Sequence, residues 1–208
     1  MDNYSRVIDS SYFRELGWAQ LTDKWIDAVV LTLLYCVIYT AFSTVLSQIG
    51  VGLIATFLIA PMYYSYNVAF LENKRSGAAL NVEKLIVGYN DFTRIAVTML
   101  LVYVYTFLWT LLFIIPGIIK TISYSQVPFI LKDNPNLKYN QAIELSMEMM
   151  EGHKMQYFIL VLSFIGWFLL VIVTFGIATL WVTPYFTATL AHYYEYVKDE
   201  YERKVATF

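Results

Sequence analysis

The chain has 208 residues, 59% of them hydrophobic and 14% charged, with a net charge of −2 and a mean hydropathy of +0.56. A soluble domain usually carries about 25% charged residues, so this composition argues against an ordinary soluble domain, and the slightly acidic balance argues against nucleic-acid binding, which needs a basic face. The single cysteine, Cys36, sits in an apolar run, which leaves no disulfide framework and no thiol pair for a metal; it reads as a small buried hydrophobe.

Charges fall in short blocks between long apolar stretches, the distribution of a polytopic membrane chain. Residues 1–24 mix both signs (Arg6, Asp9, Arg14, Glu15, Asp23, Lys24). The apolar run that follows is too long for a signal-peptide core and lacks a small-residue cleavage site, so the segment is expected to stay with the protein. Six runs come next: Trp25–Leu46, Val51–Leu71, Thr93–Ile115, Gly117–Leu131, Met155–Val173 and Ile177–Glu195. Twenty helical residues cover about 30 Å, the hydrocarbon thickness of a bilayer. Five runs are long enough; the fourth reaches only about 22 Å.

The connections alternate in kind. Ser47-Gln48-Ile49-Gly50, Pro116-Gly117 and Thr174-Phe175-Gly176 read as tight turns. Residues 72–92 and 132–154, like both ends of the chain, are longer and charged. Of the fourteen Lys and Arg residues, all but Lys120 fall with the long segments, counting Arg94 at the inner edge of its span, and basic residues mark the cytoplasmic side. The prediction is an all-α integral membrane domain: a cytoplasmic segment 1–24, a transmembrane bundle of six helices as three hairpins over 25–195, and a cytoplasmic tail 196–208. Trp25 marks an inner boundary, and Trp109, Trp167 and Trp181 lie toward the outer turns as interfacial anchors.

Each returning helix carries a proline, Pro61, Pro128 or Pro184, near the predicted midplane. A proline there removes a backbone hydrogen bond and predicts a kink. Polar side chains gather close by: Ser65 and Asn67; Ser123, Ser125 and Gln126; Thr183, Thr187 and His192. The cytoplasmic connections carry short amphipathic helices. Between Asn140 and Glu151, Gln141, Glu144, Glu148 and Glu151 share one face, while Ala142, Ile143, Ser146, Met147 and Met150 form the opposite stripe. Asn81–Tyr89 and residues 1–24 offer similar segments ahead of the third and first spans.

Several stretches resemble one bacterial family. They are Leu112-Phe-Ile-Ile-Pro-Gly-Ile-Ile-Lys-Thr-Ile-Ser-Tyr-Ser, then Asp133-Asn-Pro, Met149-Met-Glu-Gly-His-Lys and Leu162-Ser-Phe-Ile-Gly-Trp, followed by Thr174-Phe-Gly-Ile and Leu180-Trp-Val-Thr-Pro-Tyr. The opening, Leu21-Thr-Asp-Lys-Trp-Ile-Asp-Ala and Leu31-Thr-Leu-Leu-Tyr, is similar but less specific. The family is the integral membrane group called domain of unknown function 975. It is similar in turn to the membrane domain beside some glycerophosphodiester phosphodiesterases. The resemblance implies a fold and a bacterial cytoplasmic membrane, and brings no catalytic residue with it.

No reactive constellation stands out. The two histidines, His153 and His192, are 39 residues apart, where a metal site needs three or four converging ligands. No nucleotide loop, nucleophile elbow or paired intramembrane carboxylate is present, and Asp27 lies at a span's boundary. No metal, cofactor or enzymatic activity is expected. Lys120 has two readings: its stem snorkels to outer headgroups, or it faces a cavity with Ser123 and Gln126 and attracts an anionic head. Asn67, Ser65, Thr187 and His192 complete the candidate cavity. The expectation is a non-enzymatic membrane protein that handles, exports or protects against an amphipathic ligand, a lipid or membrane-active peptide. The alternative is a scaffold that docks a protein partner, or a second copy, through its cytoplasmic helices.

Overall fold

A computed structural model describes residues 9–48 and 52–207. Ten α-helices and one 3₁₀ segment follow in order: α1 (Ser10–Leu21), α2 (Trp25–Gln48), α3 (Gly52–Ser76), the 3₁₀ segment (Val82–Asp91), α4 (Phe92–Leu112), α5 (Ile114–Ser123), α6 (Val127–Asp133), α7 (Asn140–Met149), α8 (Lys154–Leu162), α9 (Ile165–Val173) and α10 (Thr179–Ala206). No strand occurs among the described residues. Among the described residues four helical stretches are long and apolar enough to cross a membrane: Trp25–Val45, Val82–Leu112, Ile114–Asp133 and Lys154–Val173.

These stretches divide by position. In their most apolar parts the first, second and fourth are 17%, 22% and 17% buried, whereas Ile114–Asp133 is 56% buried. The outward faces of α2, α4 and α8–α9 therefore form an apolar exterior, with Ile26, Val37, Phe107, Leu111, Leu169 and Ile172 all exposed. Continuous exposed apolar surface of this kind is a liability in water and is suited to hydrocarbon. The interior comes from α3, α6 and α10. All five residues from Val127 to Leu131 are buried, Phe129 stacks on Tyr194, and Tyr66, Phe70 and Leu71 of α3 join the same core.

The turns show how sequence sets the helix ends. Thr174-Phe175-Gly176 closes α9, with Gly176 at φ +88° and its N–H on Val171 O at 2.8 Å; glycine reaches that left-handed conformation without a Cβ penalty. The Thr174 hydroxyl then accepts the Ala178 N–H. The turn placed at Pro116-Gly117 lies earlier, at Phe113, whose backbone is extended (φ −157°, ψ 141°) between α4 and α5. Pro116 instead occupies the first turn of α5, where its missing N–H has no intrahelical partner to lose. Gly117 packs on α4, since a Cβ there would come 2.4 Å from Thr110 Oγ1. The fourth run thus begins at Ile114 rather than Gly117. The turn predicted at Ser47–Gly50 runs into residues 49–51, outside the described residues.

A short helical segment precedes each of α2, α4 and α8, and each packs inward. Phe13 of α1 meets Tyr193 and Tyr196. Lys84 of the 3₁₀ segment pairs with Glu72 at 2.6 Å. In α7 the apolar stripe Ala142, Ile143, Ser146 and Met149 is buried, while Gln141, Glu144 and Glu148 face outward.

The C-terminal ends of α3 and α6 and the middle of α10 are tied by charge. Asp133 receives Arg75 Nη1 and Nη2 at 2.5 and 2.7 Å, Lys198 Nζ at 2.8 Å and the Tyr194 hydroxyl at 2.8 Å. Arg75 Nε also donates to Glu195 at 2.6 Å, and Lys132 joins Glu72. Burial alone would raise the Asp133 pKa, but Arg75, Lys198 and Tyr194 outweigh it and hold the carboxyl far below its ordinary value.

Candidate functional site

Where α4, α5, α6 and α8 meet α3 and α10, the chain encloses a cavity of about 240 Å³. Tyrosine dominates its wall: Tyr63, Tyr103, Tyr124 and Tyr157, with the side chains of Asn67 and Ser125 between them. Tyr63 and Tyr103 are 38% and 40% exposed, so they stand at the mouth, whereas Tyr124 and Tyr157 are buried at the back. Thr106, Thr121 and Pro128 also line it. Among the described residues the lining holds hydroxyls and one carboxamide but no carboxylate, ammonium, imidazole or thiol.

Local helix geometry presents these groups. The helix course is interrupted over Tyr124–Gln126, directly before Pro128, which sits in the first turn of α6. The Ser125 hydroxyl donates to Ile122 O at 2.8 Å and accepts Gln126 Nε2 at 2.7 Å. Gln126 Oε1, buried behind it, has no hydrogen-bond partner. Asn67 Nδ2 donates to Tyr63 O at 2.8 Å. Pro61 and Pro184 lie inside unbroken helices, and all three prolines are buried.

The other residues singled out in the sequence point elsewhere. Lys120 lies outside the lining: its ammonium sits 5.1 Å from the Trp109 ring centre, 5.9 Å from that of Tyr124 and 3.4 Å from Met147 Sδ. Ser123 faces α7, its carbonyl accepting the Ser146 hydroxyl at 2.7 Å. Ser65 bridges to the 3₁₀ segment, donating to Pro61 O and accepting Gly88 N–H at 2.8 Å. Thr187 is buried beside Tyr66, whose hydroxyl meets Thr32 at 2.7 Å. His192 is half-buried, with Nε2 unpartnered. Asn67, Ser125 and Pro128 therefore come together; Lys120, Ser123, Gln126, Ser65, Thr187 and His192 do not line the cavity. The four tyrosines were not singled out as a group, although eighteen tyrosines in 208 residues was the available signal.

Residues 111–201 match the model of a family described as Protein of unknown function (DUF975). The match begins at the end of α4 and runs through Tyr201 of α10, so it includes Tyr124, Ser125, Pro128 and Tyr157 and leaves out Tyr63, Asn67 and Tyr103. No curated protein and no solved structure matches the chain.

Proposed function

We propose that this chain, which carries the DUF975 match over residues 111–201, is a non-enzymatic multi-pass protein of a bacterial cytoplasmic membrane that holds an amphipathic ligand in the tyrosine-lined cavity. In this reading six helices form three hairpins, α2/α3, α4/α5–α6 and α8–α9/α10, with both termini cytoplasmic. The observation that carries it is the cavity's chemistry. Hydroxyls and a carboxamide are set in an apolar wall, and half-exposed Tyr63 and Tyr103 frame an opening beside the apolar exterior of α4. Small-molecule sites have this composition, mostly apolar with a few fixed polar groups. The volume suits an uncharged polar head or a short piece of chain, with the rest of the ligand outside among lipids.

The scaffold reading is less well supported. The apolar stripe of α7 is already covered by the bundle, so its outward face offers a partner only Gln141, Glu144 and Glu148.

Native mass spectrometry of the purified chain tests the proposal. Wild type should carry a bound amphiphile through mild detergent removal. Asn67→Leu combined with Ser125→Leu, which removes two polar contacts and fills space, should lose it. Lys120→Gln, outside the lining, should retain it. A bare chain in every case would discard the ligand reading and put the scaffold ahead.

A further inference from the structure

Four of the chain's five tryptophans meet at a second place, formed by α1, α2, α9 and the first turns of α10. Trp18 of α1, Trp25 of α2, Trp167 of α9 and Trp181 of α10 line a recess of about 450 Å³ together with Tyr185. Trp25, expected at an inner boundary, and Trp167 and Trp181, expected toward the outer turns, would stand apart as anchors on opposite sides, but they line one recess. These converge: the Trp18 ring centre is 4.9 Å from that of Trp25, 6.5 Å from that of Trp167 and 5.4 Å from that of Tyr185. Tyr185 stands nearly perpendicular to both Trp18 (89°) and Trp167 (79°), so the rings form walls at steep angles. Trp18 and Trp181 remain about half exposed, at 48% and 47%, which keeps the recess open.

Charges of both signs lie beside the recess, so the attraction for a cation comes from the aromatic walls themselves. An adjoining recess shares Trp18 and Tyr185 and continues past the exposed carboxylate of Glu15. Arg14 also borders it, Nη1 donating to Ser163 O at 3.3 Å where α8 gives way to α9, while its Nε is buried without a partner. Among the described residues no charged side chain lines the tryptophan recess itself. Aromatic faces carry negative potential and attract weakly hydrated cations, above all alkylated ammonium groups, and indole is the strongest such ring.

We propose that this recess binds the head of an alkylammonium amphiphile, the cation resting against the indole and phenol rings and the alkyl tail lying along Leu170, Ala178 and Val182. Helix α1 is then part of a binding site as well as a packing element, because it supplies Trp18. The site is separate from the tyrosine cavity, whose lining shares no residue with it.

Tryptophan fluorescence reads the site directly, since only Trp109 lies outside it. The full chain in dodecyl maltoside is titrated with dodecyltrimethylammonium and with the neutral isostere in which a tert-butyl group replaces trimethylammonium. The charged head should change the emission at a concentration about tenfold lower than the isostere, the span of one cation–π contact. Trp109→Phe and Tyr185→Phe should keep the response; Tyr185→Leu and the more exposed Trp181→Leu should weaken it several-fold. Dodecylphosphocholine separates the sources. Binding of both charged probes supports a choline-type lipid, and binding of the bare ammonium alone supports a cationic surfactant. Equal response to the ammonium and its isostere, or no response to either, overturns the proposal.

Discussion

At the scale of single residues, Asp133, in the charged connection that follows the apolar run ending at Leu131, is a heavily committed side chain. Its side chain is only 9% exposed and it answers Arg75, Lys198 and Tyr194 together. Removing one partner of a fully buried ion pair costs about 3–5 kcal/mol because the other charge is stranded. Arg75 is one-third exposed, so water recovers part of that loss, and Asp133→Asn should destabilise by roughly 2–3 kcal/mol. The pH dependence has a definite sign. A carboxyl whose folded pKa is depressed contributes stability that is present above its unfolded value, about 4, and is lost as pH falls through the folded value. Thermal unfolding in detergent should therefore show no Asp133-dependent change from pH 8 to about 5, then a fall in wild-type midpoint below about pH 4. Asp133→Asn should start lower and fall less steeply. An equal acid slope in both proteins would assign the acid loss to other carboxylates, Glu72 foremost, whose pKa is also depressed by Lys132 and Lys84 against the opposing effect of burial.

At the scale of elements, close approach decides what packs where. Gly17 places α1 against α10 so tightly that a Cβ would fall 2.4 Å from Thr189 Oγ1, 2.9 Å from Thr189 N and 3.0 Å from its Cα. Two of these are backbone atoms, which cannot rotate away, so Gly17→Ala should push α1 off the bundle at a cost of about 1–3 kcal/mol. Limited proteolysis should then cut within residues 10–24 of the variant in detergent and spare the wild type; unchanged protection would show that α10 shifts to accommodate the methyl. Some of this architecture was legible beforehand. Thr174-Phe175-Gly176 announced its turn because only glycine sits easily at φ +88°. The amphipathic period of Asn140–Glu151 likewise marked which face α7 would bury. The turn at Phe113 was not legible: a single extended residue inside Leu-Leu-Phe-Ile-Ile has no compositional mark, while Pro116 imitates a stop although it stands at a start. The cavity was half legible. Asn67, Ser125 and Pro128 stood out as polar or helix-disturbing groups in apolar runs. Tyr63, Tyr103, Tyr124 and Tyr157 did not, because their meeting depends on how α3, α4, α5 and α8 lie against one another, which the period of a single helix does not encode.

At the scale of the whole molecule, the helices divide into an apolar shell and a mixed interior. The stretches in α2, α4 and α8–α9 are mostly exposed and nearly free of charge, whereas α3 and α10 hold Pro61, Pro184 and many of the buried polar groups. That division follows from the solvent. Without a strong hydrophobic force between helices in lipid, association relies on packing and interhelical hydrogen bonds, so polar residues belong on the helices that other helices surround. It also explains why α3 and α10 fall outside the four stretches identified by apolarity: a surrounded helix tolerates Ser65, Asn67, Thr187 and Thr189, which a lipid-facing one could not hold cheaply. The proposed six-span layout then has a direct test by cysteine labelling. Cys36→Ala gives a cysteine-free chain, because Cys36 is the only thiol. Into it go single cysteines at Phe175, which is 98% exposed at the α9–α10 turn, at Ala79 after α3 and at Asn136 after α6, both exposed. With thirteen of fourteen basic residues on the side of Ala79 and Asn136, orientation by positive charge puts those two inside. A membrane-impermeant maleimide should label Phe175→Cys in intact cells, and should reach Ala79→Cys and Asn136→Cys only after permeabilisation. Labelling of Asn136→Cys from outside would remove the second hairpin. The charged cluster around Asp133 would then lie on the outer face, where the charge distribution gives it no reason to be.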